Sequence, residues 1–259
     1  MSERYSDAET IAAFYDRMAG RYIHRTHSLF LDLVELQELA GTELKNKHIL
    51  DLGCGIGRVA RFVEGRVGFC CGIDLSKEMV RAANHFGLRG SYFACADASR
   101  LPFSGPRFDI VTSFGLFEYV ENLSPFLEGV AGVLTERGAF IFTCHTPSGA
   151  TYFNRFGEYH RVGHIPEKLR EVCEAADFDV ISVRPALANM RTLTLSVRAA
   201  RLLPVDALRD QALKVLASID HMLCRRRSSA STARMLVVHC LKKGNGRRPV
   251  FAAPGTAVS

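Results

Sequence analysis

A chain of 259 residues can bury a full core, as one large domain or two small ones. With 47% hydrophobic and 23% charged residues it reads as a soluble globular protein, and no run approaches the roughly 18 apolar residues of a membrane span. The polar start MSERYSDAET is no signal peptide, and the net charge of +6 comes without an aromatic stacking pattern, so a cytoplasmic protein is expected rather than a secreted, membrane-inserted or DNA-binding one.

The first 41 residues form a helical lead-in. Ile11, Phe14, Tyr15, Met18 and Tyr22 recur at helical steps, and so do Leu29, Leu33, Leu36 and Leu39, with breaks expected at Gly20 and Gly41. Short apolar runs then alternate with helical stretches. The runs are HILDLG from His48, VGFCCGIDL from Val67, GSYFACAD from Gly90, FDIVTSFG from Phe108 and GAFIFTCH from Gly138. Their central members lack a polar face, as parallel strands covered on both sides do. Helices are predicted near 57–65, 76–87 and 121–135, with Ser76 capping the second and Met79, Val80 and Ala83 facing inward. Cys54, Cys70, Cys71, Cys95, Cys144 and Cys240 sit in these apolar runs with no C-x-x-C pair, which predicts buried reduced thiols.

Pro166 opens a helix near 166–176, and the strand FDVISVRP follows. An insertion at 190–232 precedes the last strand, RMLVVHCL. Two helices broken at Pro204 are predicted there, the second with an apolar stripe of Leu208, Ala212, Val215, Leu216, Ile219, Met222 and Leu223. Such a stripe is expected to be covered, as a substrate lid or in a dimer interface. Arg225 to Arg227 suit a helix C-terminus, and 244–259 reads as a flexible tail. The pattern is α/β: one domain over 1–243 with a doubly wound, seven-stranded, mostly parallel, Rossmann-like sheet.

LDLGCGIGRVA, from Leu50, opens the first strand–helix turn. Its glycines read as G-x-G-x-G, and Gly55-x-Gly57-x-x-Ala60 also fits the dinucleotide fingerprint. Strand-end carboxylates separate the two readings. Asp51, Asp74 and Asp97 end the first three strands. A carboxylate after the second strand suits any ribose, but one at the mouth of the turn repels a pyrophosphate. A ligand with an ammonium and a sulfonium, and no phosphate, suits that acidic mouth. Asp97 is placed to accept from an exocyclic amine.

The ordered motifs ILDLGCGIGR, GIDLSKEMV, CADASRLPF, FDIVTSFGLFEYV and GHIPEKLREVCEAADF, with FYDRMAGRYI ahead of them, resemble the class I S-adenosylmethionine-dependent methyltransferases, in their small-molecule branch. The resemblance covers roughly residues 10–185 and the last strand. It implies S-adenosyl-L-methionine as cofactor. Gly53, Cys54, Gly55 and Gly57 would pack against its methionine part, with Asp51 assisting the ammonium. Asp74 would take the ribose hydroxyls, Leu75 and Met79 would line the adenine, and Asp97 with Ala98 would meet its amino group. Phe114 would close over the cofactor, and Tyr22 would reach it from the lead-in.

Candidate general bases are His145, after the fifth strand, His160 and His164, and Glu118 beside Tyr119. SFGLFEYV replaces the Asn/Asp-Pro-Pro-aromatic tetrad that cradles an adenine or amide nitrogen, so amino methylation of DNA is not expected. No metal cluster is visible. The expected partner is a small, partly apolar molecule such as a lipid, quinone or polyketide, methylated on O, N or C. The expected state is a monomer or homodimer, and membrane contact is open. The alternatives are an RNA- or protein-directed methyltransferase, or a repurposed cofactor-binding protein such as a cyclase.

Overall fold

The computed structural model describes residues 7–22, 34–154, 161–187 and 233–244, with separate helical positions between 208 and 224. Helix α1 spans Ala8–Tyr22, and residues 34–40 form α2. The alternating part follows as β1 (His48–Leu52), α3 (Arg58–Val63), β2 (Phe69–Asp74), α4 (Lys77–His85), β3 (Ser91–Cys95) and β4 (Phe108–Ser113). A 3-10 turn at Phe117–Tyr119 leads to α5 (Leu123–Val133) and β5 (Leu134–His145). Then come α6 (Pro147–Asn154), α7 (Pro166–Ala175), β6 (Phe178–Ala186) and β7 (Met235–Lys242).

The seven strands lie in the order β3-β2-β1-β4-β5-β7-β6. The first five are parallel to one another, and β7 runs antiparallel between β5 and β6. This is the Rossmann-like sheet expected from the sequence. Its order reverses between β1 and β4, and in such sheets ligands bind beyond the strand ends at that reversal.

Alternation along the strands divides the core between the two faces. Leu50 and Leu52 of β1, Val111 of β4, and Phe140 and Phe142 of β5 join one buried cluster. Ile49, Ile110 and Ile141 from the same strands join the other. Both faces are covered, so these runs lack a polar register.

Gly20 does not break α1, which continues to Tyr22. A helical glycine costs about 1 kcal/mol. Packing of Ala19 and Tyr22 with Ile56 and Met79 offsets that cost. Cys95 is exposed because β3 is the sheet edge, while Cys54, Cys70, Cys144 and Cys240 are buried free thiols as expected and Cys71 is half-buried. Most of 190–232, with Pro204, lies outside the described residues. Four side chains of its predicted stripe, Leu208, Val215, Ile219 and Met222, are exposed rather than covered.

Gly72 of β2 runs directly behind the glycine turn. A Cβ there would stand 2.8 Å from both Cys54 Cβ and Phe93 Cδ1. Gly72→Ala is therefore expected to cost about 1–3 kcal/mol of stability, read from urea denaturation. An unchanged midpoint would show that the turn yields freely.

Candidate functional site

The turn after β1 depends on glycine. Gly53, Gly55 and Gly57 all have left-handed φ values, +72°, +51° and +76°. Its amides are committed inside the protein. Gly53 N–H and Cys54 N–H donate to the Ile73 carbonyl at 2.9 and 3.0 Å, and Gly57 N–H donates to Cys54 O at 2.9 Å. Gly55 N–H donates to Asp74 Oδ2 at 2.9 Å, while Ser76 N–H donates to Asp74 Oδ1 at 2.9 Å. Each Asp74 oxygen keeps a further lone pair for a ligand hydroxyl. Burial raises the Asp74 pKa, the two backbone donors oppose that rise, and nearby Asp16 adds to it.

A pyrophosphate at a strand–helix turn is held by free amides and disfavoured by carboxylates. Here four amides are occupied, Asp74 raises the pKa of Asp51, and Asp16 raises that of Asp74. This donor set fits a ribose and an ammonium, not a dinucleotide phosphate.

Beneath the turn, Asp51 is buried and accepts from Thr112 Oγ1 at 2.7 Å. Burial pushes its carboxyl up to about 7, with the Thr112 bond and the Arg58 charge pulling down and Asp74 and Glu35 pushing up. Arg58 pairs with Glu35 of α2 at 2.5 Å, and Thr143 Oγ1 donates to the other Glu35 oxygen at 2.8 Å. Thr143 Oγ1 also accepts from Gly115 N–H at 3.0 Å. This buried network ties the lead-in to the turn, and the sequence reading missed it. Arg58 directly follows Gly57, so a cation at the start of α3, where a helix N-terminus disfavours positive charge, was the available signal.

The predicted residues separate into three groups. Met79 and Tyr22 meet with Ile56 beneath α1, and Leu75 is half-buried at the end of β2. Asp97 Oδ1 accepts from Ser99 N–H at 2.8 Å, so one oxygen already caps its own turn, and Ala98 is buried beside it. Phe114 departs from expectation. Its ring belongs to the core cluster with Leu39, Ile49 and Ile141, under the Arg58 guanidinium at 5.9 Å. Leu116 is the side chain that stands against Gly53.

Helix α1 lies across the mouth. Asp16 accepts from Ser76 Oγ at 2.5 Å and from Glu78 N–H at 3.1 Å, at the start of α4. Ser76 Oγ in turn accepts from Met79 N–H at 3.1 Å, the cap expected from the sequence. At the other side Tyr15 and Tyr119 hydroxyls are 3.1 Å apart.

Beyond the β4 and β5 ends, the predicted acid–base residues come together. The 3-10 turn is pinned by Phe117, which stacks on Phe142 at 4.1 Å and meets Phe126 edge-on. That anchoring buries Glu118, whose Oε1 lies 3.6 Å from His145 Nδ1. His164 N–H donates to His145 O at 2.8 Å, and His164 Nε2 lies 3.3 Å from Phe117 O. Burial lowers the pKa of both histidines; Glu118 opposes this in each, and Arg161 adds to it at His145. Both are neutral at neutral pH and able to accept a proton. His160 lies outside the described residues. Among the described residues no group of three His, Cys, Asp or Glu could hold a metal ion. No described helix is long and apolar enough to cross a membrane.

Residues 50–142, from Leu50 in β1 to Phe142 in β5, match the methyltransferase domain family. A ubiquinone biosynthesis O-methyltransferase of Coxiella burnetii is 27% identical over 154 residues, which cover 55% of this chain and 64% of that protein. The chloroplastic tocopherol O-methyltransferase of Arabidopsis thaliana is 32% identical over 111 residues, 40% of this chain and 32% of that protein. An S-adenosylmethionine-dependent methyltransferase structure from Mesorhizobium loti is 18% identical. It covers 81% of this chain and 98% of that one with a TM-score of 0.60, a likeness of fold.

Proposed function

We propose that this chain, which carries a class I S-adenosylmethionine-dependent methyltransferase domain, methylates a hydroxyl oxygen of a small, partly apolar molecule such as a quinone precursor, lipid or polyketide. The observation that carries the reading is the glycine turn, whose amides are spent inside the protein while its mouth is acidic. When bound, S-adenosylmethionine supplies an electrophilic methyl group on a sulfonium. Asp74 holds the ribose hydroxyls, Asp51 faces the ammonium, and the three glycines let the methionine part approach the backbone. Leu75, Met79 and Tyr22 enclose the adenosine, and Asp97 and Ala98 meet the adenine edge. We take 1–243 as one domain and 244–259 as a tail.

The chain's own contribution is positioning and proton transfer. Holding an acceptor in line can supply about 7–11 kcal/mol of the barrier. Glu118 Oε1 faces His145 Nδ1 at 3.6 Å and would orient the ring, with His145 taking the acceptor's hydroxyl proton. The names of the relatives, both O-methyltransferases acting in quinone or tocopherol chemistry, favour oxygen as the acceptor atom. The test is incubation with cofactor and a metabolite extract, followed by mass spectrometry for products heavier by one methyl group. Tight binding of NAD with none of S-adenosylhomocysteine would overturn the reading.

The pKa of Asp51 gives a second test. An unfolded aspartate titrates near 3.9, so between about pH 4 and 7 the folded protein holds a proton that the unfolded chain has lost. Stability from this group therefore falls as pH rises across that window. An ammonium beside Asp51 favours the ionised form, so cofactor binding is expected to release a proton near neutrality and to weaken toward acid pH. Calorimetry in buffers of different ionisation enthalpy counts that proton. Asp51→Asn should abolish its release, and an unchanged count would remove Asp51 from the ammonium site.

A further inference from the structure

Three charged groups surround Asp51 beneath the glycine turn. Arg58 stands at the start of α3, Asp74 at the end of β2 and Glu35 on α2. The thiols of Cys54, Cys70 and Cys71 also face it, and burial keeps all three protonated. Arg58 pairs with Glu35 at 2.5 Å and donates to Phe114 O at 3.3 Å. The Glu35 side chain is only 3% exposed and accepts from Thr143 Oγ1 at 2.8 Å. A helix N-terminus disfavours a cation, and a buried ion pair adds little stability over an apolar contact. Holding α2 in place is therefore a poor reason for this pair. Glu38 already anchors that helix: its Oε2 pairs with Arg184 of β6 and lies 2.8 Å from His239 Nε2 of β7.

The charge balance supplies a better reason. Ionised Asp51 and Arg58 alone sum to zero and offer an ammonium little attraction. With Glu35 the trio carries one net negative charge, which one ammonium neutralises. We propose that Glu35 is a positioning residue for the cofactor: by balancing Arg58 it lets the Asp51 carboxylate meet the ammonium as the net charge of the site. The inference rests on the reading that Asp51 faces that ammonium.

The test is the pH dependence of S-adenosylhomocysteine binding to the full chain, with the released protons counted by calorimetry. Binding converts protonated Asp51 to its carboxylate and passes the proton to buffer. The Asp51 carboxyl titrates at about 7, so the acid limb of the affinity profile should have its midpoint there. Glu35→Gln removes a charge that favours the protonated form. Its midpoint should move toward acid by at least about half a pH unit, with fewer protons released at neutrality. Arg58→Gln should move the midpoint toward alkali and release more, and the double variant should fall between. Thr143→Val loosens the same network but keeps both charges, so it should lower the melting temperature and leave the midpoint in place.

Opposite signs are beyond what lost packing can produce. Shifts of the same sign in Glu35→Gln and Arg58→Gln, no shift in either, or an equal shift in Thr143→Val would overturn the proposal. Should Glu35→Gln fail to melt cooperatively, Arg58→Gln decides alone, and a midpoint that stays or moves toward acid rejects the idea. Asp51→Asn separates the two levels. Release as in the wild type would sink the ammonium reading itself. Lost release, with the Glu35→Gln midpoint unmoved, would sink only the role of Glu35.

Discussion

Replacing Asp74 with alanine is expected to weaken S-adenosylhomocysteine binding by about 1.5–3 kcal/mol, roughly 10- to 150-fold. Two losses combine. The carboxylate that would meet both ribose hydroxyls is removed, and Gly55 N–H and Ser76 N–H lose the acceptor that shapes the turn. The second loss makes Asp74→Ala also less stable, by about 1 kcal/mol for each bond left without a partner. Asp74→Glu separates the two, because it keeps the charge but displaces it from both amides. Titration calorimetry on variants that still melt cooperatively reads the effect. Unchanged affinity in a folded Asp74→Ala protein would take the ribose away from this residue.

His145→Gln is expected to cut turnover by at least about 100-fold while leaving S-adenosylhomocysteine affinity intact. The side chain is buried, and burial holds its pKa below the ordinary histidine value, with Glu118 opposing that shift. It is therefore neutral over the working range, and the acid limb of the wild-type rate profile should fall below the usual histidine range. Glu118→Gln weakens the opposing charge, so that limb should move to still lower pH, a shift that simple loss of packing would not produce. Near-normal turnover in His145→Gln would transfer the role to His164 or to an acceptor that arrives already ionised.

The strand-end acids, the three glycines and the sheet were legible because they depend on local rules. Gly53, Gly55 and Gly57 stand where only a residue without Cβ takes a left-handed φ at little cost, and the uniform strands reflect two covered faces. Ser76 could be named as a cap because capping is set by a few consecutive residues. Gly20 was misread for the complementary reason: its local preference is overruled by contacts of α1 with α4 and the turn, distant in sequence.

What the tertiary structure alone decided are the pairings of charge. Glu35 lies among leucines in the lead-in and reads as the polar edge of a helix, yet it is buried between Arg58 and Thr143. The resemblance implies a cofactor-facing Phe114, but the exit of β4 turns its ring into the core and leaves Leu116 against Gly53. His145, His164 and Glu118 could each be nominated from the ends of strands and helices, whereas their meeting depends on Phe117 locking its turn onto Phe142. The amino-acid order determines which residues carry charge, lack a Cβ or repeat at a structural period. Which of those charges lose water, and therefore which titrate near neutrality or need a partner, depends on segments a hundred residues apart packing together, as Thr143 and Glu35 do.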